Sequence, residues 1–337
     1  MMNMIKKIEE KALNQIPLTD GETQFILRSS DDLLMDVVAA ARRVREKNFG
    51  KKVKLNFLVN IKSGLCSEDC HYCSQSKGST AKIEKYRLQS FEEIADQVQR
   101  GLDVGASKAC LVASGWGPNE SELGQFCSSV KELKNRYPDL PICASMGFLN
   151  EEQAKQLKEA GVCTYNHNIN TSPDYYQEIC QTHTFNERLN TVQNVIQTGL
   201  MACSGVLLGM GEKEDDIVKM IHVLRGQQIH YIPINFLIPI EGATLRSPAP
   251  LSPARCLTYL AVFRLNFPNK EIRIAGGREQ HLKSLQPLGL MIANSIFIGD
   301  YLTTQGQHPD VDLAMIRDLG YEVERQVATA PLATPSV

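Results

Sequence analysis

Short apolar runs alternate with amphipathic helical patterns along most of the chain. From Lys52 onward the runs recur at intervals of roughly 25 to 40 residues, as consecutive β–α units would. The predicted strands are residues 53–60, 108–114, 141–145, 162–167, 201–208, 232–236, 272–275 and 293–298. Eight such units without a Pro/Gly-rich linker favour a single α/β domain, a (β/α)8 TIM-type barrel. A doubly wound open sheet stays possible, because periodicity does not show whether the last strand pairs with the first.

The two ends of the chain have a different character from the repeating part. Residues 1–50 are charged and helical in pattern, with a candidate helix over residues 31–48. We expect an N-terminal helical extension at 1–50, a barrel domain at 51–320 and a C-terminal tail at 321–337. Within that tail, residues 328–337 are rich in Ala, Pro and Thr, which is typical of a frayed end.

Composition narrows the class of protein and its location. The 337 residues are 43 % apolar and 22 % charged with a formal net charge of -2, a balance that favours a small-molecule substrate and indicates neither nucleic-acid nor membrane binding. The longest apolar stretches, such as 290–299, fall short of the roughly 20 residues that a bilayer span needs. The N-terminus turns acidic at Glu9 and Glu10, before an apolar signal-peptide core can form, so we expect a cytoplasmic protein. Its ten cysteines are then better explained by metal binding or catalysis than by disulfides.

Three of these cysteines stand together just after the first predicted strand. Cys66, Cys70 and Cys73 have C-x3-C-x2-C spacing, which random placement rarely produces. Three thiolates on one loop can hold three irons of a [4Fe-4S] cluster and leave the fourth iron open for a ligand. A zinc site completed by His71 is the alternative. In either case the loop lies at the carboxyl end of a strand, where barrel enzymes place their chemistry.

The cysteine spacing, with Tyr72 just before the last cysteine, resembles the radical S-adenosylmethionine superfamily. The resemblance to the biotin synthase family is closer and runs from about residue 50 to residue 320. It is carried by YCSQS at 72–76, VASGW at 112–116, YNHNINTS at 165–172, PINF at 233–236 and AGGRE at 275–279. The resemblance implies that the open iron binds S-adenosylmethionine and that its cleavage gives a 5'-deoxyadenosyl radical.

Three further cysteines fall on separate predicted strands, at positions 110, 143 and 203. From the sequence alone, each of Cys110, Cys143 and Cys203 is better interpreted as a small buried hydrophobe than as a metal ligand. The resemblance implies instead that they hold a second, [2Fe-2S] cluster inside the barrel, with Arg273 as its fourth ligand and Arg278 as the alternative. The remaining cysteines lack ligand spacing and are interpreted as packing residues; they are Cys127, Cys163, Cys180 and Cys256.

The same resemblance assigns the polar contacts of the cofactor and substrate. It places Tyr72 against the adenine, Asn170 on the ribose, and Asn168 and Asn235 on dethiobiotin. Many family members carry Asp at the position of Asn170, so a neutral amide replaces a carboxylate here. Arg188 is a candidate partner for the methionine carboxylate, with a surface ion pair to Glu187 as its alternative.

The implied reaction inserts sulfur between two saturated carbons of dethiobiotin and forms biotin. The resemblance also implies a low-potential electron donor, flavodoxin or ferredoxin, and a homodimer. No side chain is assigned as a catalytic acid, base or nucleophile. One alternative is a radical mutase or maturase on the same scaffold, which need not keep the three inner cysteines; the other is a non-catalytic iron–sulfur or zinc module.

Overall fold

A computed structural model describes residues 1–245 and 250–324 of the protein. The predicted frayed end at 328–337 lies outside the described residues. Within the described part, no helix combines the length and apolar character that crossing a bilayer requires.

Parallel strands alternate with helices along the chain, as the hydrophobic pattern predicts. The strands are β1 (Lys52–Lys62), β2 (Lys108–Ala113), β3 (Ile142–Ser145), β4 (Thr164–Asn166), β5 (Met201–Cys203), β6 (Val206–Leu208), β7 (Ile229–Phe236), β8 (Glu271–Ile274), β9 (Ser295–Phe297) and β10 (Glu322–Val323). The helices are α1 (Met2–Leu13), α2 (Asp20–Leu27), α3 (Leu34–Phe49), α4 (Phe91–Asp103), α5 (Glu120–Arg136), α6 (Glu151–Ala160), α7 (Tyr176–Ile179), α8 (Phe185–Gln197), α9 (Glu214–Arg225), α10 (Pro253–Asn266), α11 (Arg278–Leu282), α12 (Gln286–Ile292) and α13 (Pro309–Asp318).

The sheet closes on itself. β9 pairs in parallel with β1 through Lys54–Ser295 and Asn56–Phe297, so the last barrel strand meets the first. Neighbouring strands pair in the order β1, β2, β3, β4, β5, β7, β8, β9, all in parallel. The (β/α)8 TIM-type barrel is therefore confirmed, and the doubly wound open sheet was wrong.

The fifth barrel strand is broken in two. The single strand predicted over residues 201–208 is β5 followed by β6, with Gly205 between them. A Cβ at Gly205 would lie 1.8 Å from the carbonyl oxygen of Pro233 on β7, so only glycine fits this close approach. The interruption leaves the Gly205 amide free to bond outside the ladder, and it donates to Asn168 Oδ1 at 3.0 Å.

The N-terminal helices lie outside the barrel. α3 covers the predicted helix at 31–48 after a short 3-10 turn, and it packs against α1, α10 and α12. α2 begins with a capping box between Thr19 and Glu22. At the other end of the chain, β10 adds to the start of β1 by pairing Lys52 with Glu322.

Candidate active site at the barrel mouth

The cysteine loop follows β1 directly and is tied to two neighbouring loops. The amide of His71 donates to the Ile179 carbonyl at 2.9 Å, and the His71 carbonyl accepts from the Leu245 amide at 2.8 Å. Inside the loop, Gly64 N donates to Gln75 Oε1 at 2.8 Å. These bonds hold the loop over the carboxyl ends of the strands, the end where barrel enzymes place their chemistry.

The three loop cysteines are free thiols that are partly buried. Burial raises the pKa of Cys66 and of Cys73, so both favour the protonated form until a metal takes the proton's place. Among residues 1–245 and 250–324, the sulfur atoms of Cys66, Cys70 and Cys73 do not form a group in which all lie within 4.8 Å of one another. The ligands of a single small ion would lie that close. Nδ1 of His71 lies 2.9 Å from the Glu178 carbonyl oxygen. The donor set therefore suits a several-iron cluster better than a zinc ion completed by His71.

A fourth cysteine, interpreted from sequence as a packing residue, lies beside this loop. Cys180 follows α7 and its Sγ is 3.9 Å from Cys70 Sγ, although the two are 110 positions apart in sequence. Cys180, Cys70 and His183 form a group whose ligand atoms lie within 4.8 Å of one another. A hydrogen bond with Cys70 lowers the pKa of Cys180 to about 5. No spacing motif points to this contact, because it depends on how two distant loops meet.

The inner cysteines face one another across adjacent strands. Cys110 on β2 and Cys143 on β3 are direct partners in the parallel register, and both are buried with Ala275 and Phe297. The hydrogen bond from Cys143, together with the positive charge of Arg273, lowers the pKa of Cys110 to about 7. Burial raises the pKa of Cys203, on β5, to about 12. These thiols share one buried, positively charged region inside the barrel.

The two candidate arginines differ in their surroundings. Arg273 lies on β8 among the inner cysteines, where its Nη2 donates to Glu271 Oε1 at 2.8 Å and its Nε to Ser295 Oγ at 3.1 Å. Arg278 instead makes a two-point pair with Asp312, at 2.6 and 2.9 Å. This arrangement favours Arg273 as the residue available to an inner cluster.

Sequence reasoning did not single out Lys108, a second buried cation in this region. Its Nζ donates to Thr164 Oγ1 at 3.1 Å and lies 3.9 Å from the centre of the Tyr231 ring. Burial opposes its charge, but electrostatic interactions with Cys143 and Tyr231 outweigh burial and raise the pKa of Lys108. Its position two residues before Cys110, on the same side of β2, is the only signal that could have identified it.

A cavity of about 340 Å³ connects the cysteine loop with the barrel interior. Seven of the predicted site residues line it: Tyr72, Cys73, Cys110, Cys143, Asn168, Asn235 and Arg273. The other five, which do not line the cavity, are Cys66, Cys70, Asn170, Arg188 and Cys203. A cavity of this size, largely apolar and with few polar groups, suits a small organic ligand.

The polar candidates are held by backbone and by one another. Asn168 Oδ1 accepts from Gly205 N, and Asn235 Oδ1 accepts from Gly276 N at 3.0 Å, so both side chains brace strand ends while lining the cavity. Asn170 has a left-handed φ of 66° and donates through Nδ2 to the Tyr72 hydroxyl at 2.6 Å. These contacts fix the orientation of Tyr72 above the cavity.

The side chain of Arg188 points toward the barrel and away from Glu187, its alternative partner. Its Nε donates to the Asn168 carbonyl at 2.7 Å and its Nη1 lies 3.3 Å from Nε2 of His183. The carboxylate of Glu187 instead accepts from the Thr184 amide at 2.7 Å, at the start of α8. A guanidinium in this position can meet an anionic group at the barrel mouth.

Several buried polar atoms of the barrel have no hydrogen-bond partner among residues 1–245 and 250–324. They include Asn166 Oδ1 and Asn60 Oδ1, and Nε2 of His167. Unpartnered buried polar atoms are costly and usually mark a place where a ligand or water completes the bonding. The donor set of thiols, amides and guanidinium therefore fits a barrel that holds iron–sulfur clusters and a polar cofactor.

Solved structures share this architecture at low sequence identity. HydG, a maturase of the [FeFe]-hydrogenase, aligns with a TM-score of 0.82 and 18 % identity, covering 96 % of this chain and 76 % of that protein. Methylornithine synthase (PylB) aligns with a TM-score of 0.81 and 20 % identity, over 94 % of this chain and 97 % of that one. At these identities the likeness establishes the fold alone.

Comparison with known sequences identifies the family as well as the fold. Residues 60–224 match the Radical SAM superfamily, and residues 233–322 match the Biotin and Thiamin Synthesis associated domain. The biotin synthase of Kocuria rhizophila is 47 % identical over 94 % of this chain and 68 % of its own length. That of Renibacterium salmoninarum is 47 % identical over 95 % of this chain and 94 % of its own length.

The closed barrel, the three-cysteine loop over its mouth and the superfamily match define a radical S-adenosylmethionine enzyme. With identity near one half across almost the whole chain, the protein belongs to the biotin synthase family.

Proposed function

We propose that the enzyme converts dethiobiotin to biotin by radical-mediated sulfur insertion. The observation that carries this proposal is the inner group on β2, β3, β5 and β8, where Cys110, Cys143, Cys203 and Arg273 meet beneath the cysteine loop. A radical enzyme that only rearranges or cleaves its substrate does not need this second set of thiols. The two relatives compared above are named biotin synthase, which supports the same substrate.

The residues divide into two metal-holding sets and one ligand-binding set. Cys66, Cys70 and Cys73 would hold a [4Fe-4S] cluster, and Cys110, Cys143, Cys203 and Arg273 a [2Fe-2S] cluster. When bound, these clusters and S-adenosylmethionine supply hydrogen abstraction from unactivated carbon and the sulfur atom that is inserted.

The side chains of the mouth bind and orient the organic ligands. Tyr72, held by Asn170, offers its ring to the adenine, while Asn170 Oδ1 is available to accept from a ribose hydroxyl. Arg188 would pair with the methionine carboxylate, and Asn168 and Asn235 would contact dethiobiotin from the cavity wall.

The inner electrostatics favour a thiolate-ligated cluster. Lys108 and Arg273 place two positive charges beside the thiols, which offset the negative charge that thiolate ligands bring into a buried site. The walls of the cavity are largely apolar and disfavour water, which would quench a carbon radical.

The proposal extends to partners and location. Reduction of the outer cluster requires a low-potential donor, flavodoxin or ferredoxin, reaching the exposed side of the cysteine loop near Leu65, whose side chain is exposed. We also propose a cytoplasmic homodimer that binds neither nucleic acid nor membrane.

Anaerobic reconstitution tests the proposal with a matched pair of variants. The wild-type chain should bind about six irons, four and two for the two clusters, and form both 5'-deoxyadenosine and biotin from dethiobiotin. Cys143→Ala should lower the iron content by about two and abolish biotin, because it removes an inner ligand. Cys127→Ala is the control, because Cys127 lies on α5 with its Sγ near the Gln156 carbonyl of α6 and outside both proposed ligand sets, and it should match the wild type in iron content and products.

Two results would contradict the proposal at different levels. About four irons with deoxyadenosine but no biotin would keep the radical chemistry and exclude sulfur insertion. Stoichiometric zinc with no cleavage of S-adenosylmethionine would exclude the enzyme class altogether.

A further inference from the structure

We propose that Glu68 and His183 are positioning residues, which hold the guanidinium of Arg188 in the orientation that meets the carboxylate of S-adenosylmethionine. The three side chains form a chain of hydrogen bonds from the cysteine loop to α8. No sequence motif contains all three, since Glu68 belongs to the cysteine loop and the other two to α8 and the turn before it. The inference rests on the proposed function, because that function assigns the carboxylate to Arg188.

The first link joins His183 to the carboxylate of Glu68. Nδ1 of His183 lies 2.6 Å from Glu68 Oε2, and an imidazole nitrogen that faces a carboxylate carries the ring proton. The other nitrogen, Nε2, then keeps its lone pair and can accept a hydrogen bond. Cys180 Sγ lies at nearly equal distances from Nδ1 and Nε2, 3.4 and 3.5 Å, so it does not lie in the bonding direction of either nitrogen.

The second link joins His183 to Arg188. Nη1 of Arg188 lies 3.3 Å from His183 Nε2. Because a guanidinium has donors and no acceptor, Arg188 donates to the lone pair of Nε2. Its Nε also donates to the Asn168 carbonyl at 2.7 Å. Two bonds from different nitrogens fix the plane of the guanidinium and leave part of its planar fork for a bound carboxylate.

The carboxylate of Glu68 is itself held in place. Ser67 Oγ donates to its Oε1 at 2.8 Å, and Thr182 Oγ1 donates to its Oε2 at 2.7 Å. Glu68 is only 7 % exposed, so water competes little for these bonds. Both oxygens of the carboxylate are therefore fixed by partners on the two loops that meet here.

The imidazole of His183 has little freedom to turn. The ring is buried, and its centre lies 4.9 Å from the centre of the Phe148 ring. The backbone before it is bound to the cysteine loop, since Asp69 Oδ1 accepts from the amides of Gln181 and Thr182 at 3.0 and 3.1 Å. The position of the cysteine loop therefore sets the position of the ring, and the ring sets that of Arg188.

This arrangement connects the two places that one ligand would occupy. Glu68 lies between Cys66 and Cys70, so the carboxylate at the start of the hydrogen-bond chain belongs to the same short segment as the proposed cluster ligands. A carboxylate that reaches both the open iron and Arg188 requires the two at a fixed separation. A histidine that only filled space in the core would need neither of its hydrogen bonds.

Binding of S-adenosylmethionine and of its decarboxylated analogue to the anaerobically reconstituted chain tests the inference, because only the first carries the carboxylate. His183→Phe keeps an aromatic ring and removes both nitrogens. It should weaken S-adenosylmethionine binding about tenfold, through one lost hydrogen bond to a charged group, and leave binding of the analogue within about twofold of the wild type. His183→Gln, whose amide can both donate and accept, should recover most of this loss. Equilibrium dialysis gives both dissociation constants.

A double variant shows whether His183 acts through Arg188. Arg188→Met should weaken S-adenosylmethionine selectively, and Arg188→Met/His183→Phe should bind no more weakly than Arg188→Met alone. His222→Phe is the matched control. Nε2 of His222, on α9, lies 2.7 Å from Asp20 Oδ1, and this exposed pair has no part in the chain of bonds. Both dissociation constants of His222→Phe should match those of the wild type.

The possible failures are distinguishable. An unchanged constant in His183→Phe, equal weakening of both ligands, or additive effects in the double variant would each show that His183 does not position Arg188. If Arg188→Met binds both ligands like the wild type, Arg188 does not meet the carboxylate, and the inference falls with that part of the proposed function. Iron content, expected to equal that of the wild type in every variant, separates loss of ligand binding from loss of the cluster. None of these measurements depends on biotin formation.

Discussion

Arg273 and Glu271, two residues apart on β8, form an ion pair in the barrel interior, with Nη2 2.8 Å from Oε1. Residues i and i+2 of a strand share a face, so the strand itself brings the charges together. The exposed fractions of the two side chains are only 3 % and 5 %. Glu271 is also 3.3 Å from Lys54, which lies on β1. Arg273 thus has a fixed counter-charge on its own strand.

Glu271→Gln is expected to destabilise the protein by about 3 kcal/mol, because it leaves a buried guanidinium without its counter-charge. Urea unfolding of the wild type and the variant measures the change. Glu10→Gln, an exposed change of the same chemistry, should stay within about 0.5 kcal/mol of the wild type. Equal stability of the two variants would mean that Glu271 does not hold Arg273.

Asn170→Asp should strengthen S-adenosylmethionine binding about five- to tenfold, because a carboxylate accepts a ribose hydroxyl more strongly than an amide. Asp tolerates the left-handed φ of 66° as Asn does, so the backbone should not change. Anaerobic equilibrium dialysis gives the dissociation constant. Asn150→Asp makes the same exchange at the N-cap of α6 and should not alter binding; an unchanged constant in Asn170→Asp would remove this residue from the ribose site.

Gly205→Ala is expected to cost at least about 3 kcal/mol, because the new methyl group would lie 1.8 Å from the Pro233 carbonyl oxygen and force β5 and β7 apart. Gly124→Ala on α5 is the matched control. Nothing lies within 4 Å of the methyl group there, so the helix should gain about 0.5 to 1 kcal/mol. Denaturant unfolding of both variants compares them, and a Gly205→Ala chain as stable as the wild type would show that the strand break is not sterically required.

Glu22 should make the N-terminal helices sensitive to acid. Burial opposes its charge, but the hydrogen bonds from Lys11 and Thr19 lower the pKa of its carboxyl below the ordinary 4.5. The folded state then binds this proton less tightly than the unfolded state, so the stabilisation is complete above pH 4.5 and is lost as the pH falls through the lowered pKa.

Glu22→Gln should therefore lower the free energy of unfolding by about 1 kcal/mol at neutral pH, through the lost charge at the start of α2 and the lost pair with Lys11. Unfolding curves of the wild type and the variant should converge as the pH falls below 4.5. A difference that stays constant with pH would mean that the charge of Glu22 contributes nothing.

The order of the β–α units and the position of the cysteine loop after β1 could be predicted from the amino-acid sequence. Both are local properties, because alternation and helical spacing are read within one segment and the loop spans only residues 66–73. Strand periodicity also placed four candidate ligands on four separate strands, namely Cys110, Cys143, Cys203 and Arg273. A family resemblance, rather than spacing, joined those four into one group.

Contacts between segments that are distant in sequence became visible only in the three-dimensional structure. The pairing of β1 with β9 closed the barrel, and the carbonyl of Pro233 on β7 explains why the predicted strand at 201–208 breaks at Gly205. Cys180 lies beside Cys70 only because Asp69 ties the two loops together across the barrel mouth. The periodicity of hydrophobic residues carries no information on such contacts, because the register of the strands and the path of the loops are set only when the whole barrel closes.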